Sequence, residues 1–276
     1  MKRFHHIGIL YNPLSEEPSR FSEQLQHYLE QRGLDVWRGT AKNESEATIA
    51  RLDLLIALGG DGTMLRAAHM AIPHNIPLLT VALGRLNFLA ELTPDDLYEG
   101  LNVVLSGNGW IDRRSLIQAT FLRGPHTLDT LTALNEVVLS RGDVSHTITI
   151  NVQIDEIPLT TYRADGVLIS TATGSTAYAL SAGGPILDPR SRAMVLVPVA
   201  AHLTAVPSMV LHEESVVTLF VESCRHATLA VDGHGTLPVQ EGDRVQIYRS
   251  NKVCRFLRIH PTQRFFATLV RRLRRE

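Results

Sequence analysis

The stretch "LLIALGGDGTMLRAA", Leu54 to Ala68, decides how the first part of the chain folds. Leu52 to Leu58 is a near-continuous apolar run, as expected of a strand covered on both faces. Gly59 and Gly60 then permit a sharp turn, and Thr63 to Ala71 predicts a helix that follows at once. A glycine-rich turn between strand and helix usually welcomes phosphate, because the helix start offers free N–H groups and a positive dipole end. Here the turn also carries a carboxylate, Asp61. Taken alone, Asp61 reads as a helix cap or as half of an Asp-Gly turn. The chemical alternative is a carboxylate held beside bound phosphates, ready to take a proton from an attacking hydroxyl. The motif is neither a GxxxxGK[ST] loop nor GxGxxG.

The same alternation continues on both sides. His6 to Tyr11 predicts a strand ended by Asn12-Pro13, and Phe21, Leu25, Tyr28 and Leu29 recur at helical spacing before Gly33. Leu34–Trp37 and Ile76–Leu83 predict further strands. Thr93-Pro94-Asp95-Asp96 has the chemistry of a helix start: a Thr cap, Pro at the first position and acids in the first turn. Repeated βα units predict an α/β domain with a mostly parallel sheet over residues 1–110. Beyond Trp110 the pattern becomes strand after strand, with clear alternation in "HTITINVQID". Expected strands are Ser115–Leu122, Leu134–Ser140, Thr147–Ile154, Gly166–Ser170, Ala193–Val197, Val216–Val221, Thr228–Val231, Arg244–Tyr248 and Cys254–Ile259. They predict a β-sandwich-like second domain over 111–259. Residues 260–276 return to helical spacing and are expected to pack back on the first domain, with the terminal Arg cluster facing solvent and the negative end of the helix dipole.

Bulk composition narrows the function. The 276 residues carry a formal net charge of −1, so no strong field draws in nucleic acid or anionic membrane. Cys224 and Cys254 stand far apart with no CxxC, which argues against a zinc site or a disulfide framework. No apolar run is long enough to span a bilayer, and "MKRFHHIGIL" is too polar for a signal peptide, so a cytoplasmic location is expected.

Two further stretches carry chemistry. "RADGVLISTATGSTAYALSAGGPILDP", Arg163 to Pro189, runs from a strand into a loop dense in Thr, Ser, Gly and Ala, followed by a helix-capable "STAYALSAGG". Small hydroxyls and exposed amides suit a sugar–phosphate ligand, and Asp165 can accept from a hydroxyl or an amide. "ALNEVVLSRG", Ala133 to Gly142, sets Asn135-Glu136 at the head of an apolar strand, although strands deplete both residues. The pair reads either as an exposed strand start or as a donor–acceptor pair for two adjacent ribose hydroxyls.

GGDGT, then Asn-Glu, then DG(x)4T(x)TGSTAY(x)2SAGGP, in this order, resembles the NAD kinase family over nearly the whole chain. GGDGT alone is shared with lipid kinases and phosphofructokinases; the TGSTAY block with Asn-Glu upstream is specific. The resemblance implies transfer of the γ-phosphoryl of ATP, or of polyphosphate, to the adenosine-ribose 2′-hydroxyl of NAD, giving NADP. It implies that Asp61 is the proton acceptor and that Gly62 lies against the dinucleotide. Asn135 and Glu136 match the ribose-and-adenine pair, and Asp165, Thr173, Thr176, Ala177, Tyr178 and Ser181 match the dinucleotide-binding loop. Arg66, His146, Arg163 and His234 fall where members contact ligand, and a basic residue at the place of Arg163 goes with preference for NAD over NADH. Phe88 would pack near the substrate. A divalent cation, Mg2+, and a homodimer or homotetramer are implied by the resemblance as well.

The chain departs from the family pattern at His69, at Ala82 and Asn87 in "VALGRLNFL", in "AHLTAVPSMV" with Pro207 and without its usual Arg, and at His234 in "DGH". Two alternatives stay open at this level. One is another GGDGT-type kinase acting on lipid or a different acceptor, although the TxDxD run of a phosphofructokinase is absent. The other is a dinucleotide-binding sensor without turnover.

Overall fold

The computed structural model describes residues 4–13, 16–40, 45–84, 87–142, 146–202 and 206–274, and at 234–235 the backbone alone. It resolves into two compact units, Met1–Arg113 with Cys254–Glu276, and Arg114–Val253.

The first unit contains β1 (His6–Tyr11), α1 (Glu16–Glu30), β2 (Asp35–Gly39), α2 (Glu46–Ile49), β3 (Leu54–Gly59), α3 (Asp61–Ala71), β4 (Leu78–Ala82) and α4 (Leu97–Leu105). Its strands run parallel in the order β2-β1-β3-β4. The βα alternation read from the sequence thus gives the parallel sheet it predicts. Ile7, Ile9, Leu54, Ile56, Leu58, Leu79 and Val81 form one sheet face, packed with Leu25 and Leu29 of α1 and Leu97, Leu101 and Val104 of α4. The period-two alternation leaves the opposite face to α3, whose Met64, Ala67, Ala68 and Ala71 are buried.

The helix start expected at Thr93 lies further on. Asp96 accepts from the backbone N–H and the hydroxyl of Thr93, which closes a turn, and α4 begins only at Leu97. The Thr-Pro-Asp-Asp signature is real, but its acid caps the turn rather than its threonine the helix.

The second unit is built from β5 (Trp110–Arg123), β6 (His126–Ala133), β7 (Glu136–Arg141), β8 (Ile148–Ile154), β9 (Ile157–Ala164), β10 (Gly166–Ser170), α5 (Tyr178–Ser181), β11 (Met194–Val199), β12 (Met209–Leu211), β13 (Val217–Ser223), β14 (Ala227–Val231), β15 (His234–Val239) and β16 (Arg244–Arg258). One antiparallel sheet runs β12-β11-β10-β7-β14-β15. Antiparallel pairs also join β16 to β13, β13 to β8, β8 to β9 and β5 to β6. Val137, Leu139, Val167, Ile169 and Leu196 of the first sheet share one core with Ile150, Val152, Leu219, Val245 and Ile247 of the other strands. That is the sandwich the sequence predicts. Val138, Leu168, Val195 and Val197 point the other way, against Ala172, Ala179 and Leu187 of the Thr/Ser/Gly-rich stretch. Coverage on both faces explains why β7 and β10 read as unbroken apolar runs instead of alternating.

Several boundaries move. The helix-capable "STAYALSAGG" is a 3-10 turn over Gly174–Thr176 followed by the single turn α5. The two strands expected at Arg244–Tyr248 and Cys254–Ile259 are one strand, β16, which crosses from the second unit into the first. Its far end pairs in parallel with β4 through Phe256 and Leu78. The chain then closes with α6 (Arg264–Arg274) in the first unit, where Arg264 lies 4.0 Å from Asp96 and the Phe265 ring 6.3 Å from that of Phe88.

A buried charge cluster fixes this return. Arg258, Glu91 and Asp112 are all nearly inaccessible. Arg258 donates to Leu89 O (2.9 Å) and to Glu91 (3.3 Å), and approaches Asp112 (3.4 Å). The second Glu91 oxygen accepts from the backbone N–H groups of Ile259 and His260 and from His260 Nδ1. Burial works to raise the Glu91 pKa, but Arg258 and these donors outweigh it and hold the carboxyl below its ordinary range. Arg258→Met removes the cation shared by two buried carboxylates and is expected to cost about 3–5 kcal/mol. A fall in the urea-unfolding midpoint measures this, and an unchanged midpoint refutes the role given to Arg258.

Candidate active site

In the first unit the site begins at the β3–α3 turn. Gly59 has φ +150°, and a Cβ there would sit 2.7 Å from Thr63 Oγ1, so only glycine lets the strand end so close to the helix start. Gly60 takes the cap position, and its carbonyl accepts the first helical bonds, from Thr63 and Met64. Asp61 is therefore the first residue of α3 rather than its cap. A Cβ on Gly60 or Gly62 would meet nothing within 4 Å, so the backbone is bare on this side. Asp61 is exposed, yet the protein atoms near its carboxyl partly desolvate it and raise its pKa, while the positive charge of Arg272 pulls it down. Arg66 is half-buried one turn along α3.

The segment after β4 flanks this turn in the same unit. Asn87, a departure from the family pattern, accepts from Ala90 N (2.8 Å) and closes a tight bend. Leu89 O takes the Thr80 hydroxyl as well as Arg258, and Phe88 O and Ala90 O take Arg272 of α6. Irregular backbone is thus satisfied by side-chain donors. Ala82, the other departure here, is wholly buried, and its N–H is bonded to Leu92 O. The expectation that the terminal arginines all face solvent fails at Arg272, which is turned inward, its guanidinium 5.7 Å from the centre of the Phe88 ring.

In the second unit the Asn135-Glu136 pair is buried, not exposed as one reading of the strand start required. The Asp232 carboxylate accepts from three successive N–H groups: Leu134 (2.7 Å), Asn135 (2.7 Å) and Glu136 (3.0 Å). The Asp232 N–H returns a bond to Glu136 O. Asn135 O accepts from Thr171 N (2.8 Å) and from the Ser170 hydroxyl (3.1 Å). Gly174 presses so close that a Cβ would overlap Asn135 O at 2.2 Å. Thr173 sits in the same knot and accepts from the buried Arg114 (3.2 Å). Thr176 bonds back to Thr173 O, Ala177 links the 3-10 turn to α5, and Tyr178 and Ser181 are exposed on α5. Glu136 lies beside Asp232 in a buried setting. Burial first, and the Asp232 charge second, push its pKa up to about 8.

The remaining residues read from the sequence lie apart from this knot. Asp165 is gripped by Arg141 through two bonds of 2.9 Å, a fork-to-carboxylate pair. Arg163, exposed on β9, donates to Thr147, and His146 is exposed nearby in sequence. The His234 side chain lies outside the described residues. Sequence reasoning missed Asp232, Arg141 and Arg272. Asp232 alone had a signal, an Asp-Gly pair at a strand end, where Asp tolerates its φ of +50°. Among the described residues no group of three or more His, Cys, Asp or Glu is arranged to hold a metal, and no helix is long and apolar enough to cross a membrane.

Comparison with known proteins gives the family and the fold. Residues 41–108 match the model of the ATP-NAD kinase N-terminal domain and residues 134–259 that of the ATP-NAD kinase C-terminal domain. An NAD kinase of Chloroflexus aurantiacus is 54% identical over 271 residues, 98% of either chain. One of Dehalococcoides mccartyi is 40% identical, covering 97% of this chain and 95% of that one. Among solved structures, yeast NADH kinase complexed with NADH superposes with a TM-score of 0.82 at 24% identity, over 99% of this chain and 88% of that one. An Archaeoglobus fulgidus NAD kinase in complex with ATP gives 0.78 at 23% identity, over 98% and 99%. At these identities the two structures speak to the fold.

The raised Glu136 pKa has a stability consequence. The folded chain holds a proton at Glu136 that the unfolded chain releases near 4.5, so this group's contribution is complete below about 4.5 and is lost as pH rises towards about 8. Glu136→Gln is expected to flatten the decline of unfolding free energy across that window. Parallel denaturation series of the two proteins measure it, and identical slopes refute the assignment.

Proposed function

The chain belongs to the NAD kinase family, and on that premise we propose that it transfers the γ-phosphoryl of ATP to the adenosine-ribose 2′-hydroxyl of NAD, forming NADP and ADP. The observation that carries the mechanism is Asp61: a carboxylate in the first helical turn after a bare glycine-rich bend, with a pKa raised by its surroundings. Raising the pKa of a carboxylate base towards the working pH makes it a better proton acceptor. In the step, the 2′-oxygen attacks the γ-phosphorus as its proton passes to Asp61. The bond to the bridging oxygen breaks, and ADP leaves with that electron pair.

Positioning and charge neutralisation do most of the work in such a transfer. Gly62, Arg66 and Phe88 are assigned to ligand binding. Asn135 and Glu136 are assigned to the adenosine ribose and adenine. The rigidity of their backbone supports this, since three N–H groups are locked to Asp232. Asp165, Thr173, Thr176, Ala177, Tyr178 and Ser181 are assigned to the dinucleotide, with His146, Arg163 and His234 as further contacts. A protonated Glu136 both donates and accepts, which suits a hydroxyl or a ring nitrogen.

A divalent cation, Mg2+ in our reading, fits as a passenger on the ATP phosphates. The described residues offer no protein cage for it, and this ion commonly binds through phosphate oxygens and water. It would supply neutralising charge on the β- and γ-phosphates. The assignment to ATP draws on the relative solved with ATP, and that to the dinucleotide on the relative solved with NADH. A cytoplasmic homodimer or homotetramer completes the proposal. The curated relatives being NAD kinases, a lipid kinase is not favoured.

Asp61→Asn is expected to lower NADP formation about 10²- to 10⁴-fold while calorimetric NAD binding persists. NADP is read with Mg–ATP and an NADP-specific dehydrogenase. Undiminished turnover rejects Asp61 as the base, and wild-type NAD binding without product from ATP or polyphosphate points to the sensor reading instead.

A further inference from the structure

We propose that Asp232, in the turn between β14 and β15, is a positioning residue for the transfer: its carboxylate sets the backbone that presents Asn135 and Glu136 to the adenosine ribose. This rests on the assignment of that pair to the ribose. Asp232 and Gly233 are the two residues between the strands, with φ of +50° and +68°, and Val231 faces His234 across the turn. A two-residue hairpin turn with both centres left-handed takes Asn-Gly as readily as Asp-Gly. The turn therefore asks for a short polar residue, not for an acid. The acid answers to the neighbouring chain. Asp232 is 3% exposed; its Oδ1 accepts from Asn135 N and Glu136 N, and its Oδ2 accepts from Leu134 N. An asparagine has one acceptor oxygen, and its amide group would set a donor against one of these donors.

The backbone of Leu134–Glu136 can be followed group by group. Its three N–H groups go to Asp232. Leu134 O takes the Thr171 hydroxyl, Asn135 O takes Thr171 N and the Ser170 hydroxyl, and Glu136 O takes Asp232 N. The carbonyl side is thus held largely by the end of β10 and the loop after it, and the N–H side by one carboxylate. Without that carboxylate three buried donors must find other acceptors, and the peptide planes that carry both side chains turn to reach them. Glu136 is 7% exposed, and its Oε2 has no hydrogen-bond partner among the described residues. A ligand hydroxyl at that oxygen meets a group whose backbone is already fixed. Small displacements of a bound reactant cost rate as well as affinity, so fixing this backbone bears directly on the transfer.

The test is steady-state kinetics in wild type, D232N and D232G, with N135A as reference. Both substitutions at 232 place a residue that the turn accepts. D232N is expected to raise KM for NAD about tenfold, the effect of about one lost hydrogen bond and a misdirected donor, and D232G by at least as much. KM for ATP is expected to stay at its wild-type value in both. An aspartate that served folding alone would lower the number of active molecules, and with it the apparent kcat, while leaving both KM values unmoved. That result overturns the proposal, as does a rise shared equally by NAD and ATP. Amide hydrogen exchange on the wild-type protein covers the case in which neither variant folds. Slow exchange at Leu134, Asn135 and Glu136 is expected, and exchange as fast as in an exposed loop overturns the proposal. An unchanged KM for NAD in N135A overturns the ribose assignment instead, which separates the two failures.

Discussion

One carboxylate organises the approach to β7 in the second unit. Asp232 takes the N–H groups of Leu134, Asn135 and Glu136, three donors in a row that the approach to β7 would otherwise leave unsatisfied in a buried place. Once that turn is fixed, Asn135 O is aimed at Thr171 and Ser170, and the Thr/Ser/Gly-rich loop can close until Gly174 touches the Asn135 backbone. No residue with a Cβ fits there. The small residues of the loop are therefore demanded twice, by the close approach at Gly174 and by the cover they form over Val138, Leu168 and Val197.

The arrangement has a cost, borne by Glu136. A second acid beside a buried carboxylate cannot cheaply ionise, so it keeps its proton up to about 8. A chain selected for stability alone would place an apolar residue at the head of so apolar a strand. Retaining the acid makes sense where a ligand completes its hydrogen bonding, which is what the ribose assignment supplies.

Much of this was legible beforehand, and the exceptions share one cause. β1 falls on its predicted residues, and the strand–glycine–helix reading of Leu54–Ala68 holds, because both depend on neighbours in sequence. The Asn-Glu pair was visible as an anomaly of composition. Its burial was not, since that depends on Asp232, a hundred residues away in the chain. β6, β9 and β15 escaped notice because Thr, Asp and Pro interrupt their few apolar residues; each pairs in a hairpin and buries little, such as Ala133, Tyr162 and Val239. The arginines of α6 read as a solvated cluster because the acceptors of Arg272, the carbonyls of Phe88 and Ala90, leave no mark on side-chain composition.

The first unit repeats that lesson in its chemistry. The glycine-rich turn is local and readable, but the 87–92 segment is shaped by the end of the chain. Arg258 holds Leu89 O, Glu91 grips residues 259 and 260, and Arg272 takes the carbonyls on either side of Leu89. Every carbonyl from Phe88 to Ala90 is thereby given to an arginine of the returning segment. Shortening α6 before Arg272 would free two of those carbonyls. For this reason the C-terminal helix, which has no buried residue among those described, shapes the first unit through these backbone contacts and not through the core.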